Sequence, residues 1–152
     1  MRPDANKNHH APPTVLIVDN DRSLRTLLRI SLERSGFTVL EAENGERAKI
    51  IADQSPSIHL LLTDIAMPAI RGPELAVLLS LRHPAIKVLY MSASRLENLL
   101  SLPYLFEREF GFIQKPFTPD ALAMWIRAIL QPEPAKPPGR EILGSGQSRD
   151  AA

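Results

Sequence analysis

Apolar residues fall along this chain in two alternating patterns. Short unbroken apolar runs, such as Val15 to Val18, give way to longer stretches in which apolar residues recur every three or four positions. The runs predict strands buried on both faces, and the periodic stretches predict helices packed along one side. Val15 to Val18 forms the first strand and ends in Asp19-Asn20-Asp21. Asp21 can cap the next helix, whose Leu24, Leu27, Leu28 and Leu32 share a face, with Arg22, Arg25, Arg29 and Glu33 largely off it. Gly36 closes that helix. Phe37 to Ala42 is a second strand, and Asn44-Gly45 a turn. Glu46 to Gln54 is a weakly amphipathic helix with Ala48, Ile51 and Ala52 inward, ended by Pro56.

The third strand, Ile58 to Thr63, delivers Asp64 to its end. A loop with Pro68 and Gly72 leads to a helix from about Pro73 to Arg82, with Leu75, Leu78 and Leu79 inward. Ile86 to Met91 is the fourth strand and stops at Ser92-Ala93-Ser94. Arg95 to Glu109 is leucine-rich but interrupted by Pro103, which predicts a short, kinked or split helix. Its leucines are core first of all, though some exceed what one face can bury. Phe110 to Gln114 is the fifth strand and stops at Lys115-Pro116. Thr118 caps the last helix, with Pro119 at its first position and Leu122, Trp125, Ile126 and Ile129 inward, to about Leu130.

Strand followed by helix, five times, predicts an α/β fold: a doubly wound, five-stranded parallel sheet. The folded domain spans 14–131. Residues 1–13 are polar and proline-containing, and 132–152 are rich in proline and glycine; both are expected to be disordered. His9 and His10 lie in that arm without further ligands around them, which argues against a metal there. Composition narrows the function. With no cysteine, the chain has no disulfides, thiolate metal sites or thiol nucleophiles. A net charge of +1 gives no electrostatic argument for nucleic acid, and none is expected as a partner. No apolar run is long enough to cross a bilayer and no signal-peptide core opens the chain, so no membrane partner and a cytoplasmic location are expected.

Candidate chemistry collects where strands end. In an open α/β sheet, ligands bind outside the carboxyl ends of the strands. Asp64 there is either the cap of a turn before Pro68 or a carboxylate whose charge is used. Asp19-Asn20-Asp21, Ser92 and Lys115 occupy the matching ends of other strands. Gathered carboxylates call for a counter-charge, which a hard cation such as Mg²⁺ supplies through oxygen ligands. Lys115 adds a movable positive charge and Ser92 a hydroxyl donor. Together these would hold the oxygens of a phosphoryl group, with Asp64 as the nucleophile forming an acyl phosphate. Taken singly, Lys115 reads as a solvated lysine, Ser92 as a strand-end serine, and Phe112 and Trp125 as core.

Val-Asp-Asn-Asp after a strand, Thr-Asp-Ile-Ala-Met-Pro with Gly72 beyond, Tyr-Met-Ser-Ala and Lys-Pro-Phe resemble, in order and spacing, the receiver domain of bacterial two-component response regulators. The resemblance covers about Thr14 to Leu130. Gly-Pro-Glu-Leu-Ala and Lys-Val-Leu-Tyr-Met-Ser look most like receivers of hybrid histidine kinases. It implies a flavodoxin-like (βα)5 fold and a signalling domain rather than an enzyme, at most phosphorylating itself from small donors and dephosphorylating itself. Asp64 would accept a phosphoryl group from a histidine kinase or histidine phosphotransfer protein. Ser92 would turn toward the phosphate, and Lys115 would pair with it beside a cis bond to Pro116. Phe112 falls at the family's switch aromatic, without the hydroxyl of a tyrosine. Asp19, Asp64 and the Ala66 backbone carbonyl match metal ligands, and Asn20 stands where a second acid normally ligates Mg²⁺. A neutral amide there implies weaker metal binding and slower phosphorylation. Asp21 could compensate, although its helix-capping role competes. Self-association is expected through the fourth helix, fifth strand and fifth helix.

Two other functions fit parts of the sequence. Asn20 also suits a degenerate receiver that binds a partner without phosphorylation. Asp19-Asn20-Asp21-Arg22-Ser23 resembles the signature of haloacid-dehalogenase-type phosphatases, with Asp19 as nucleophile and Asp21 as general acid, but that leaves Asp64-Ile-Ala-Met-Pro unexplained. The stretch after Leu130 is too short for a helix-turn-helix DNA-binding domain.

Overall fold

A computed structural model describes residues 11–131. The expected disorder of the N-terminal arm, apart from its last residues, and of the tail lies outside the described residues. Five strands form one parallel sheet: β1 (Thr14–Val18), β2 (Thr38–Ala42), β3 (Leu60–Asp64), β4 (Lys87–Ser92) and β5 (Gly111–Gln114), in the order β2-β1-β3-β4-β5. Three α-helices connect the first four strands, α1 (Arg22–Arg34), α2 (Gly45–Gln54) and α3 (Gly72–Arg82), and α4 (Pro119–Leu130) follows β5.

Both sheet faces are covered, as unbroken apolar strands require. Leu16, Val18, Leu61, Val88 and Tyr90 face a cluster with Ala48 and Ala52 of α2 and Leu75 and Leu79 of α3. Val15, Ile17, Leu60, Leu62, Leu89 and Met91 face Leu28 and Leu32 of α1 and Leu122 and Ile126 of α4. Two expected caps, Asp21 and Thr118, form locally, and Asn44, read as part of a turn, proves to be a third. Asp21, Asn44 and Thr118 each accept a bond from the backbone N–H three residues on, Asn44 starting α2 one residue earlier than the turn reading placed it. Gly36 leaves α1 with φ of 98°, a left-handed backbone that glycine adopts without strain.

The short, kinked or split helix expected over Arg95–Glu109 is indeed split around Pro103, but not as α-helix. Two single turns of 3-10 helix, Leu96–Asn98 and Leu105–Glu107, bridge β4 and β5 instead. Pro103 disfavours helical backbone at Leu102, and Tyr104 beyond it is left-handed at φ 70°. Tertiary contacts hold the bridge. Leu105 is buried, Leu99 and Leu102 pack on the core, and Arg108 Nη2 donates to the Ile86 carbonyl at 2.8 Å. Two inward assignments also fail. Leu27 of α1 is exposed, and so is Trp125 of α4, because each lies beyond the part of its helix that the sheet covers.

Candidate functional site

The parallel arrangement brings the carboxyl ends of β1, β3, β4 and β5 to one edge of the sheet. Asp19 directly follows β1, Asp64 ends β3, Ser92 ends β4, and Lys115 directly follows β5. Asp19, Asp64 and Lys115 converge. Lys115 Nζ lies 2.9 Å from Asp19 Oδ2 and 3.9 Å from Asp64 Oδ2. The lysine is threaded to this point by its own backbone, since its N–H donates to the Ser92 carbonyl at 2.8 Å. The Lys115–Pro116 peptide is cis.

The two carboxylates are not equivalent. The Asp19 side chain is only 1% exposed, and both its oxygens are engaged: Oδ1 accepts from the Asp21 N–H at 2.8 Å and Oδ2 from Lys115. The Asp64 side chain is 20% exposed. Its Oδ1 accepts one long bond, 3.4 Å, from the Ala66 N–H, and its Oδ2 has the more distant contact with Lys115. Burial lifts the Asp64 carboxyl above its ordinary value, Lys115 opposes that rise, and the nearby Asp19 adds to it. Two carboxylates thus share one ammonium at this edge.

The other candidates sit near this edge in different roles. Asn20 is exposed and lines a groove of about 750 Å³ with Arg22, Arg25, Glu41 and Met67. Asp21 Oδ1 accepts from the Leu24 N–H at 3.1 Å, so its carboxylate works as the α1 cap. Ala66 is exposed in the loop after β3. Ser92 is buried, and its hydroxyl oxygen accepts from the Ser94 N–H at 2.9 Å. Phe112 is half-buried in β5, in register with Tyr90 of β4 on the α2–α3 side of the sheet. Among the described residues, the hydrogen bonds and ion pairs link neither Ser92 nor Phe112 to Asp64.

Residues passed over as surface also shape the site. Arg25 Nη1 donates to the Asp19 carbonyl at 2.7 Å, and its Nε meets Glu41 at 3.3 Å. Glu41 is held in turn by Arg29 at 2.7 Å. This clamp fixes the backbone of the acidic loop from the side of β2. Its trace in the sequence is a charged residue, Glu41, inside an otherwise uncharged strand. Gly72 packs so closely that a Cβ there would stand 2.9 Å from the Asp64 carbonyl oxygen and 3.0 Å from Ile65 Cα. Only glycine lets α3 start against the strand that carries Asp64.

Among the described residues no group of three or more His, Cys, Asp or Glu side chains is close enough to hold a metal by itself. The available donors are two carboxylates, an amide oxygen and backbone carbonyls. Hard oxygen donors of this kind, where two carboxylates share one ammonium, fit a cation that keeps several waters.

The response regulator receiver domain profile matches residues 15–127. The Escherichia coli K12 transcriptional regulatory protein CpxR is 37% identical over 121 residues, covering 77% of this chain and 49% of CpxR. The chain thus spans about half the length of that relative. The Brucella abortus sensor kinase CckA is 30% identical over 119 residues, covering 78% of this chain and 12% of the kinase. The crystal structure of the receiver domain from the hybrid histidine kinase CckA superposes with a TM-score of 0.66 at 29% identity, covering 78% of this chain and 99% of that one. With its β2-β1-β3-β4-β5 sheet and its acids and lysine gathered at one edge, the chain belongs to the response regulator receiver domains of two-component systems.

Proposed function

We propose that Asp64 is the phosphoacceptor of a cytoplasmic two-component pathway, taking a phosphoryl group from a histidine kinase or a histidine phosphotransfer protein. The observation that carries this reading is the contrast between the carboxylates. Asp19 is buried and bonded at both oxygens, whereas Asp64 keeps a partly exposed, loosely bonded carboxylate beside an ammonium. A nucleophile needs such an open lone pair. An Asp64 oxygen attacks phosphorus as the P–N bond of the donor phosphohistidine breaks, and the bonding pair returns to the imidazole nitrogen. Lys115, 3.9 Å from Asp64, is placed to follow the charge that arrives on the phosphoryl oxygens. Ser92 could join only by exchanging its bond from the Ser94 N–H for one that its hydroxyl donates to phosphate. Asp19, Asn20, Asp64 and the Ala66 carbonyl would hold Mg²⁺, which when bound neutralises phosphoryl oxygens.

Asn20 favours one second reading, a receiver that binds its partner without phosphorylation. Incubation with acetyl phosphate and Mg²⁺, followed by intact-mass measurement, separates the two. The phosphoacceptor reading expects one added phosphoryl group in the unaltered protein and none in Asp64→Asn. Labelling that survives Asp64→Asn refutes the assignment, and no labelling of the unaltered protein favours the second reading.

A further inference from the structure

Helix α4 is apolar on two sides. Its inner side, with Leu122, Ala123 and Ile126, is buried against the sheet. Ala121, Met124, Trp125 and Ala128 recur at i, i+3, i+4 and i+7 and form a second stripe turned away from it. Met124 is 69% exposed and Trp125 45%. A helix with apolar residues on both sides is normally covered on both. The stripe lines a shallow groove of about 370 Å³. A second depression of about 560 Å³ shares Met124 and Ala128 with it and continues to Phe37, Leu130 and Gln131. Gln131, where the described chain ends, is thus itself part of the lining.

We propose that the Ile142-Leu143 segment of this same chain docks on the Met124–Trp125–Ala128 stripe. The chain sets off at the rim of the groove, and Ile142-Leu143 is the first adjacent pair of large apolar residues after it, eleven positions beyond Gln131. Eleven residues reach about 36 Å when extended, twice the roughly 18 Å length of α4. Pro137-Pro138-Gly139 supplies turn-forming residues part-way, so the chain can run out and come back along the helix. Arg127 borders the groove, its guanidinium donating to the Ser35 carbonyl at 3.1 Å and lying 5.9 Å over the Phe37 ring, and the charges of Arg140 and Glu141 before the apolar pair cancel, so the docking rests on apolar contact. A second copy is a poorer occupant. A stable dimer buries about 800 Å² on each partner, more than a stripe of four side chains offers, whereas a tether holds its segment at an effective concentration in the millimolar range. The docked segment would shield the stripe from other partners, independently of any chemistry at Asp64.

Trp125 is the only tryptophan in the chain and reads out the docking directly. Acrylamide quenching of the full chain is compared with that of full chains carrying Ile142→Asp with Leu143→Asp, carrying Ala128→Glu, or carrying all three substitutions. The tail variant is expected to raise the quenching constant about twofold and shift emission to the red, as a contacting side chain is withdrawn from the indole. Tail substitution in the Ala128→Glu background is expected to add nothing, the non-additivity of two groups that meet. Equal quenching with and without the tail substitutions overturns the proposal, and so does additivity. Quenching of the unaltered chain that falls with protein concentration, alongside dimer in sedimentation, assigns the groove to a second copy and overturns it too.

Discussion

Replacing Lys115 by methionine keeps the side-chain stem and removes the ammonium between Asp19 and Asp64. At 2.9 and 3.9 Å, and with an effective dielectric constant near 20, the two attractions are about 6 and about 4 kcal/mol before solvation is counted. Desolvation offsets much of this. Deleting one partner of a buried pair costs about 3–5 kcal/mol, and because Lys115 is 24% exposed the lower end applies, about 3 kcal/mol at pH 7 without metal. The loss should depend on pH, with a sign set by Asp64. Its carboxyl is raised by burial and lowered by Lys115, so removing the lysine raises it further. A raised carboxyl destabilises the folded state fully above its folded pKa and not at all below its ordinary value of 3.8. The Lys115→Met loss should therefore shrink as pH falls from 7 toward about 4, where unfolded-state carboxylates protonate. Adding Asp64→Asn to Lys115→Met should restore about 1 kcal/mol at pH 7 by removing one of the stranded charges. Urea unfolding in EDTA at both pH values, followed by circular dichroism, measures all three quantities. A loss below about 1 kcal/mol at pH 7, or one of equal size at both pH values, would refute the view that this ammonium offsets the charge of the acidic edge.

Asn20→Asp should tighten Mg²⁺ binding in an amide-shift titration and speed labelling by acetyl phosphate, while lowering metal-free stability by roughly 1 kcal/mol or less; unchanged affinity would remove Asn20 from the metal's surroundings. Arg71 sits at the N-cap of α3 with no side-chain capping bond, so Arg71→Asp should stabilise the domain by about 1 kcal/mol in thermal or urea unfolding, and no gain would count against an open cap there. Gly72→Ala should cost about 1–3 kcal/mol and slow Asp64 labelling, because its methyl group meets backbone on both β3 and the following loop. Wild-type stability in that variant would show that α3 shifts freely away from Asp64.

The alternation of apolar runs with three-to-four-residue periodicity was enough to predict five parallel strands, because burial on both faces leaves a strand no polar side. The caps Asp21 and Thr118 were legible for a related reason: each satisfies backbone within three residues of itself. Strand-end positions for Asp19, Asp64, Ser92 and Lys115 followed from the same pattern. Their partnerships did not. Lys115 bonds Asp19, 96 positions away, more closely than it approaches Asp64, and distance in space decides that choice. Arg25 reads as a surface arginine by helical period, yet the neighbouring strand places Glu41 where it turns the guanidinium inward onto the Asp19 carbonyl. Periodicity likewise finds an apolar stripe but not its covered width, so Leu27 and Trp125 were placed inside while the sheet reaches neither. Between β4 and β5, leucine content favoured a helix. Pro103 withholds a backbone donor there, and burying Leu105 while Arg108 bonds the Ile86 carbonyl can be met by two short turns. What depends on neighbours in sequence was readable from the chain, and what depends on which side chains the folded sheet brings together was settled only by the tertiary structure.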